Sequence, residues 1–223
     1  DCHIVEIDQI TGREALSYRV DVDTEFDLLL TSEGARLNPA SVKLVWLRRI
    51  RANQLMVNSY EQNAVDVINN DCRGALSGLM SSKINAKWIS TQEASFRASD
   101  KIFQLGIAAK CGFRIPKTLV SQSKQDVCDF FAECRGSIIV KSVVGAKDQF
   151  LRTVEVAEPF AFQEAAFHAA PAVYQELIEG TRHLRMLVYG DQILCGLIDS
   201  QDLDWRPNLN VPITKYIPDD DLA

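Results

Sequence analysis

Ser137-Ile138-Ile139-Val140-Lys141 and Tyr174-Gln175-Glu176-Leu177-Ile178-Glu179 are the two stretches on which the reading of this chain turns. The first is a short apolar run that reads as a buried strand delivering Lys141 at its edge. The second leads from a strand into a polar pair, an apolar pair and then Gly180. That order suits a hinge between two lobes, where free backbone C=O and N–H groups can read the edge of a planar ring flanked by Leu177 and Ile178. An ordinary strand end is the competing reading, and on local pattern alone it is the favoured one.

Around these stretches the pattern is that of alternating strands and helices. Upstream, Ser90 and Glu93 have capping-box spacing, and Ala98, Ile102, Leu105 and Ala109 make one apolar stripe with Lys101 one position off it. Gly112 caps that helix and Pro116 blocks its continuation. A strand at Thr118 to Val120 and a helix from Ser123 to Cys134, ended by Gly136, lead into the Lys141 strand. Beyond it come a strand at Arg152 to Val156 and a helix from Pro159 to about Ala170. Leu184 to Tyr189 and Gln192 to Ile198 flank Gly190-Asp191 as a hairpin. Before all this, Ala15 to Val22, Asp27 to Leu30, Val42 to Leu47 and Lys87 to Ile89 read as strands and Leu55 to Met80 as a helix. The segmentation expected is therefore an α/β domain over 1–89, a connecting helix and lid-like lobe over 90–178, and the start of an antiparallel lobe from 179 to 223.

The bulk numbers exclude several classes. With 223 residues, 47% hydrophobic and 24% charged, the chain is long and apolar enough for a real core. A net charge of -6 and the absence of a long Lys/Arg run argue against nucleic acid. No run of about 18 apolar residues is present, so no membrane span is expected. No secretory signal is visible, although the chain opens at Asp1 and not at Met and is expected to have lost its natural start. The six cysteines form no C-x-x-C pair and only three histidines are present, so zinc is not expected. Scattered cysteines of this kind read as small buried hydrophobes in a reducing, cytoplasmic compartment.

Four basic residues carry candidate chemistry. Lys101 and Lys141 together look like a clamp for phosphate charge, which needs cations at close range in a shielded cleft. Either alone reads equally as a surface lysine with its stem on apolar atoms. Arg185 begins one strand, and Arg206, in Asp204-Trp205-Arg206-Pro207-Asn208, follows its partner. Two guanidiniums at one sheet edge could fork onto phosphate oxygens, or simply form surface ion pairs. The histidines His3, His168 and His183 have no marked partner, and no Ser-His-Asp or Cys-His set is evident.

Taken in order, Lys101, G-F-x-I-P-x-T at Gly112 to Thr118, I-I-V-K at Ile138 to Lys141, Q-E-L-I at Gln175 to Ile178, L-R at Leu184-Arg185 and D-W-R-x-N at Asp204 to Asn208 resemble the ATP-grasp superfamily. The resemblance is to the ligases that add glutamate to a ribosomal protein and to the peptide maturases that cyclise microviridin-type (graspetide) precursors. R-V-D at Arg19 to Asp21 and V-W-L-R-R at Val45 to Arg49 extend it to the amino-terminal part. It implies an α/β (α+β) ATP-grasp fold behind a pre-ATP-grasp domain, in a chain incomplete at both ends. It also implies ATP and Mg2+ as cofactors. Lys101 and Lys141 would hold the phosphates, with Gln175, Glu176, Leu177 and Ile178 around the adenine and Asn208 in the same cleft. Arg185 and Arg206 would face the phosphates and the activated carboxylate. Arg48, Arg49 and Trp205 would belong to a peptide-docking surface or only brace the structure.

The resemblance implies a two-step reaction. A substrate carboxylate attacks the γ-phosphate of ATP, and an amine or hydroxyl then displaces phosphate from the acyl phosphate, with no protein nucleophile. The substrate expected is a ribosomally made precursor peptide, macrocyclised through side-chain esters or amides. An amino-acid ligase acting on a protein tail or small peptide is one alternative. A non-catalytic nucleotide- or peptide-binding module of the same fold is another. A homodimer is compatible with the sequence. Two departures stand out: His183 occupies a position where the family often has an acid, and only Gly145 lies between Lys141 and Leu151 where a glycine-rich loop is expected. The magnesium ligands are expected beyond Ala223, Asp219 to Asp221 being read as a solvated tail.

Overall fold

The computed structural model describes residues 1–6, 10–11, 14–20, 28–48, 62–145, 151–208 and 210–218. The chain forms two compact units, Asp1–Ser99 and Asp100–Ala223.

In the first unit β1 (Leu16–Ser17), β2 (Leu28–Leu30) and β3 (Arg36–Leu37) form an antiparallel sheet in that order. Gly34, at φ +82°, supplies the left-handed residue of the β2–β3 turn, and the Thr31 hydroxyl accepts the Ala35 N–H at 3.1 Å. A 3-10 turn at Pro39–Ser41, capped by the Asn38 side chain, leads to β4 (Leu44–Trp46). The helix α1 (Gln62–Lys83) connects β4 to β5 (Lys87–Ile89), which pairs parallel with it at Leu44↔Lys87. Leu76, Leu79 and Met80 on α1 pack with Ile10, Ala15 and Leu29. The first expected strand is shorter than its alternation suggests, because Tyr18 leaves the ladder to pack on α1. A Cβ on Gly78 would stand 2.6 Å from the Tyr18 hydroxyl, so any other residue there would force the ring to shift.

The helix expected to run through residue 100 is two helices, α2 (Gln92–Ser99) and α3 (Lys101–Lys110). The α2 cap is Thr91, not Ser90: its hydroxyl accepts the Ala94 N–H at 3.2 Å. Asp100 breaks the run because its carboxylate accepts both the Ile102 and Phe103 N–H groups, starting a new helix. Gly112, at φ +84°, ends α3.

The second unit holds β6 (Thr118–Ser121), α4 (Lys124–Glu133), β7 (Ile138–Ser142), β8 (Val154–Val156), α5 (Glu164–His168) and β9 (Ala172–Glu176). The expected helix from Pro159 is a 3-10 turn, Pro159–Ala161, followed by the single short α5. The strands make an antiparallel sheet ordered β6-β9-β7-β8. Its alternation sorts residues cleanly. Ile138, Tyr174 and Val156 face α4 and α5, closing a core with Val127, Phe130 and Phe167. A second antiparallel sheet, β10 (Arg182–Tyr189), β11 (Gln192–Asp199) and β12 (Ile213–Tyr216), follows. Gly190, at φ +56°, turns the β10–β11 hairpin as the sequence implies, whereas β12 was not anticipated.

All six cysteines are unpaired. Cys128 and Cys195 are buried as expected, but Cys2 and Cys111 are exposed, so the reading of them all as core hydrophobes is corrected. No helix among the described residues is long and apolar enough to cross a membrane.

Candidate functional site

The sheet face opposite α4 and α5 gathers several of the candidate residues. Thr118 pairs with Gln175 across β6–β9, Gln175 with Ile139 across β9–β7, and Val173 with Lys141. Directly opposed residues share a face, so Thr118, Gln175 and Lys141 lie together on the side away from the helices. Lys141 Nζ donates to Gln175 Oε1 at 2.7 Å, Gln175 Nε2 to Thr118 Oγ1 at 2.8 Å, and the Thr118 hydroxyl to the Pro116 carbonyl at 2.9 Å.

Lys101 is brought to the end of β7 by α3. Its Nζ donates to the Ser142 carbonyl at 2.5 Å. Lys101, Leu105 and Ala108 are the half-buried positions of α3, while Ile102 is 49% exposed. Lys101 therefore sits on the inward side of the helix and not at the border of its apolar stripe.

Arg206 comes from the connection between β11 and β12. It forks onto Asp204, Nε to Oδ1 at 2.7 Å and Nη2 to Oδ2 at 2.6 Å, and Asp204 also accepts the Thr153 N–H at 3.3 Å. The Asp204 side chain is only 7% exposed against 54% for Arg206. The hydrogen bonds from Arg206 hold the Asp204 carboxyl below its ordinary range, and the same pair raises the guanidinium.

Electrostatics ties these groups into one cluster. Burial lowers the Lys141 pKa, and the Lys101 and Arg206 charges lower it further. Burial also lowers Lys101, with Arg206 adding to the effect. Among the described residues, no carboxylate acts on either lysine. Three cations thus converge, with Asp204 engaging Arg206, which is an arrangement suited to a polyanion.

The hinge stretch is partly committed to the sheet. The Glu176 and Leu177 amides donate to the Lys117 and Ser137 carbonyls at 2.9 and 3.1 Å, and Ile178 is 64% exposed. A cleft of about 300 Å³ opens beside Asp204, with Arg152, Thr153, Asp202 and Asn208 among its walls. Trp205 is half-buried in the same connection, and its carbonyl accepts the Asn208 N–H at 2.9 Å. Arg185 stands exposed on β10 opposite Gly196, and its charge is not among those that depress the two lysines. Arg48 is exposed just past β4, in the first unit; Arg49 and Asp219 to Asp221 lie outside the described residues.

Sequence reasoning did not single out Asp204 or Thr118 as site residues. The Asp204-Trp205-Arg206 spacing was a usable signal for the first, since a two-residue step suits a fork closing on a local carboxylate. Thr118 gives no local sign, because its role depends on pairing with a strand far along the chain.

The fold is that of ATP-grasp ligases. The chain superposes on a macrocyclase, MdnC, bound to its precursor peptide MdnA, from Microcystis aeruginosa MRC, with a TM-score of 0.74 and 21% identity, covering 93% of this chain and 68% of that one. A ligase from Chryseobacterium gregarium, RiPP-associated and in complex with ADP and a leader and core peptide, gives 0.75 and 24% over 95% and 68%. PsnB, an ATP-grasp ligase complexed with a minimal precursor, gives 0.68 and 22% over 96% and 68%. Among curated proteins, the alpha-aminoadipate–LysW ligase LysX of Sulfurisphaera tokodaii is 21% identical over 143 residues, 61% of this chain. The chain spans about half the length (50%) of that relative. No family model matches.

Proposed function

We propose that the protein is an ATP-dependent ligase that activates a carboxylate as an acyl phosphate and joins it to an amine or hydroxyl. The observation that carries this reading is the convergence of Lys141, Lys101 and Arg206 on the polar side of an ATP-grasp sheet. In it, Lys101 and Lys141 hold the nucleotide phosphates, and Arg206, oriented by Asp204, faces the transferring phosphoryl group and the carboxylate. Glu176 to Ile178 border the adenine, and Asn208 lines the adjoining cleft. The work of these residues is positioning and charge stabilisation, as in other phosphoryl transfers. Arg185 is kept as a candidate facing the phosphates and the activated carboxylate, and Trp205, Arg48 and Arg49 as candidates for peptide contact.

The substrate proposed is a ribosomally made precursor peptide, joined through its side chains. The peptide-bound neighbours support this reading, and the six unpaired thiols suit a cytoplasmic setting. The LysX relative favours a second reading, an amino-acid ligase acting on a protein tail or small peptide. Magnesium would neutralise phosphate oxygens. Among the described residues, however, no group of three or more His, Cys, Asp or Glu could hold a metal ion, and both Asp204 oxygens are engaged by Arg206. These residues do not fit a magnesium site, and the charge stabilisation assigned to them comes from lysine and arginine.

Calorimetric titration with a non-hydrolysable ATP analogue tests the reading. Saturable binding is expected, weakened at least ~100-fold in Lys141→Ala, the scale of losing a charge-assisted contact in a shielded site. Arg206→Ala is expected to lower turnover more than stability. Absence of binding by the folded wild type would remove the ligase reading.

A further inference from the structure

We propose that Gln175 is a positioning residue that acts through Lys141: a neutral anchor that aims the ammonium without cancelling its charge. This rests on the nucleotide reading above and adds a role for a side chain that need not touch the nucleotide itself. Gln175 is only 6% exposed, yet both ends of its amide are used. The chain of donors fixes which way it points. The Pro116 carbonyl can only accept, so the Thr118 hydroxyl donates to it and offers its oxygen to Gln175 Nε2. That leaves Oε1 for Lys141, and the amide orientation follows from the network.

The consequence is electrostatic. A lysine that is half-buried beside two further cations would ordinarily be stabilised by a carboxylate, and an ion pair would lower its attraction for an incoming anion. An amide oxygen accepts one of the three ammonium donors, fixes the direction of the side chain, and leaves its full charge and two donors for a ligand. The β6-β9-β7 order makes this possible, because it sets Thr118, Gln175 and Lys141 on one face, one strand apart in each step.

The test compares two substitutions by calorimetry with the same ATP analogue, each alongside its melting temperature. Gln175→Glu keeps the shape and the acceptor but adds a charge; Gln175→Met removes the acceptor and adds none. The neutral-anchor role predicts that Gln175→Glu binds roughly 30-fold or more weakly and Gln175→Met roughly fivefold, although Gln175→Glu melts no lower than Gln175→Met. A purely structural Gln175 gives the opposite order, with affinity following melting temperature, and so does a Gln175→Glu variant that binds like wild type; either result overturns the proposal. If Gln175→Glu does not fold, Thr118→Val and Thr118→Ser decide: Thr118→Val weakens binding about threefold with Thr118→Ser restoring it, and equal binding by both overturns the proposal. Loss of binding in Lys141→Met with Gln175→Glu unaffected leaves the nucleotide reading standing and removes only this inference. No binding by the wild type removes both.

Discussion

The two faces of the β6-β9-β7-β8 sheet are built from alternate residues of the same strands, and they are held by different physics. On one face Ile138 and Tyr174 fill the space against Val127, Phe130 and Phe167. On the other, Lys141 and Gln175, their near neighbours along β7 and β9, are held by directed hydrogen bonds. Titratable groups on the two faces respond to burial in opposite senses. Burial raises the Tyr174 phenol, and also the Cys134 thiol packed against the same core, whereas it lowers Lys141. In each case burial disfavours the charged form. The apolar face keeps its groups neutral and gains stability. The polar face keeps its lysines charged at a cost, which a bound polyanion would offset.

The largest effect expected from breaking this division is on the apolar face. Ile138 is fully buried, so Ile138→Ala removes three carbons and leaves a cavity, a loss of about 3 kcal/mol in stability. Denaturant unfolding should show that loss while nucleotide affinity of the folded protein stays near wild type. A large loss of affinity in Ile138→Ala would mean that the two faces are not separable.

How much of this division could be read from the sequence follows from how local each signal is. The Ile138-Ile139-Val140-Lys141 run gave the β7 strand and the lysine at its end, because both depend on neighbouring residues only. The α4 helix, its Ser123 cap and the Gly190 turn were legible for the same reason. The break at Asp100 was not. The apolar stripe continues across it, and only the cap bonds from Ile102 and Phe103 show that Asp100 starts a new helix. Nor was the burial of Lys101: the periodicity placed Ile102 on the inner side, but the tertiary contact with Ser142 turns the helix one position. Lys101, Lys141 and Arg206 stand out as candidates from local pattern and motif order, whereas only the strand register brings Thr118 to Gln175. Arg185 lies on the other sheet, β10-β11-β12, and among the described residues its charge is not one of those that depress the two lysines.

A smaller effect should follow from loosening Arg206. Asp204→Asn keeps the volume but loses the charge of a nearly buried carboxylate that holds a largely exposed guanidinium. With solvent screening on the Arg206 side, a stability loss of about 1 kcal/mol is expected, well short of that for Ile138→Ala. A loss as large as the cavity variant's would show that the polar side of the unit is held as firmly as its core. The acid limb should move as well. The Asp204 pKa is lowered in the folded state, so its contribution is present above the unfolded carboxyl value and is lost as pH falls through the folded one. Asp204→Asn should therefore flatten that part of the acid unfolding curve.

The smallest effect expected is a proton count. Lys101 and Lys141 have folded pKa values below the ordinary 10.5, so between those depressed values and 10.5 the unfolded chain binds more protons than the folded one. Their contribution to stability therefore rises with pH across that window, and below it the full cost of holding them charged is present. Tyr174 and Cys134 oppose this, because their raised values keep protons on the folded chain while the unfolded chain loses them. A melting curve against pH adds the two faces together and cannot separate them. Nucleotide binding can, because a polyanion on the polar face raises only the lysines. Binding should then take up protons in the alkaline window, and affinity should fall as pH rises through the ligand-free lysine values. Calorimetry in two buffers of different ionisation enthalpy would show the uptake as a difference in apparent heat, reduced in Lys141→Met. Equal heats in both buffers across that window would mean that the bound phosphates do not reach the two lysines, and the polar face would lose its assignment while the core on the other side kept its own.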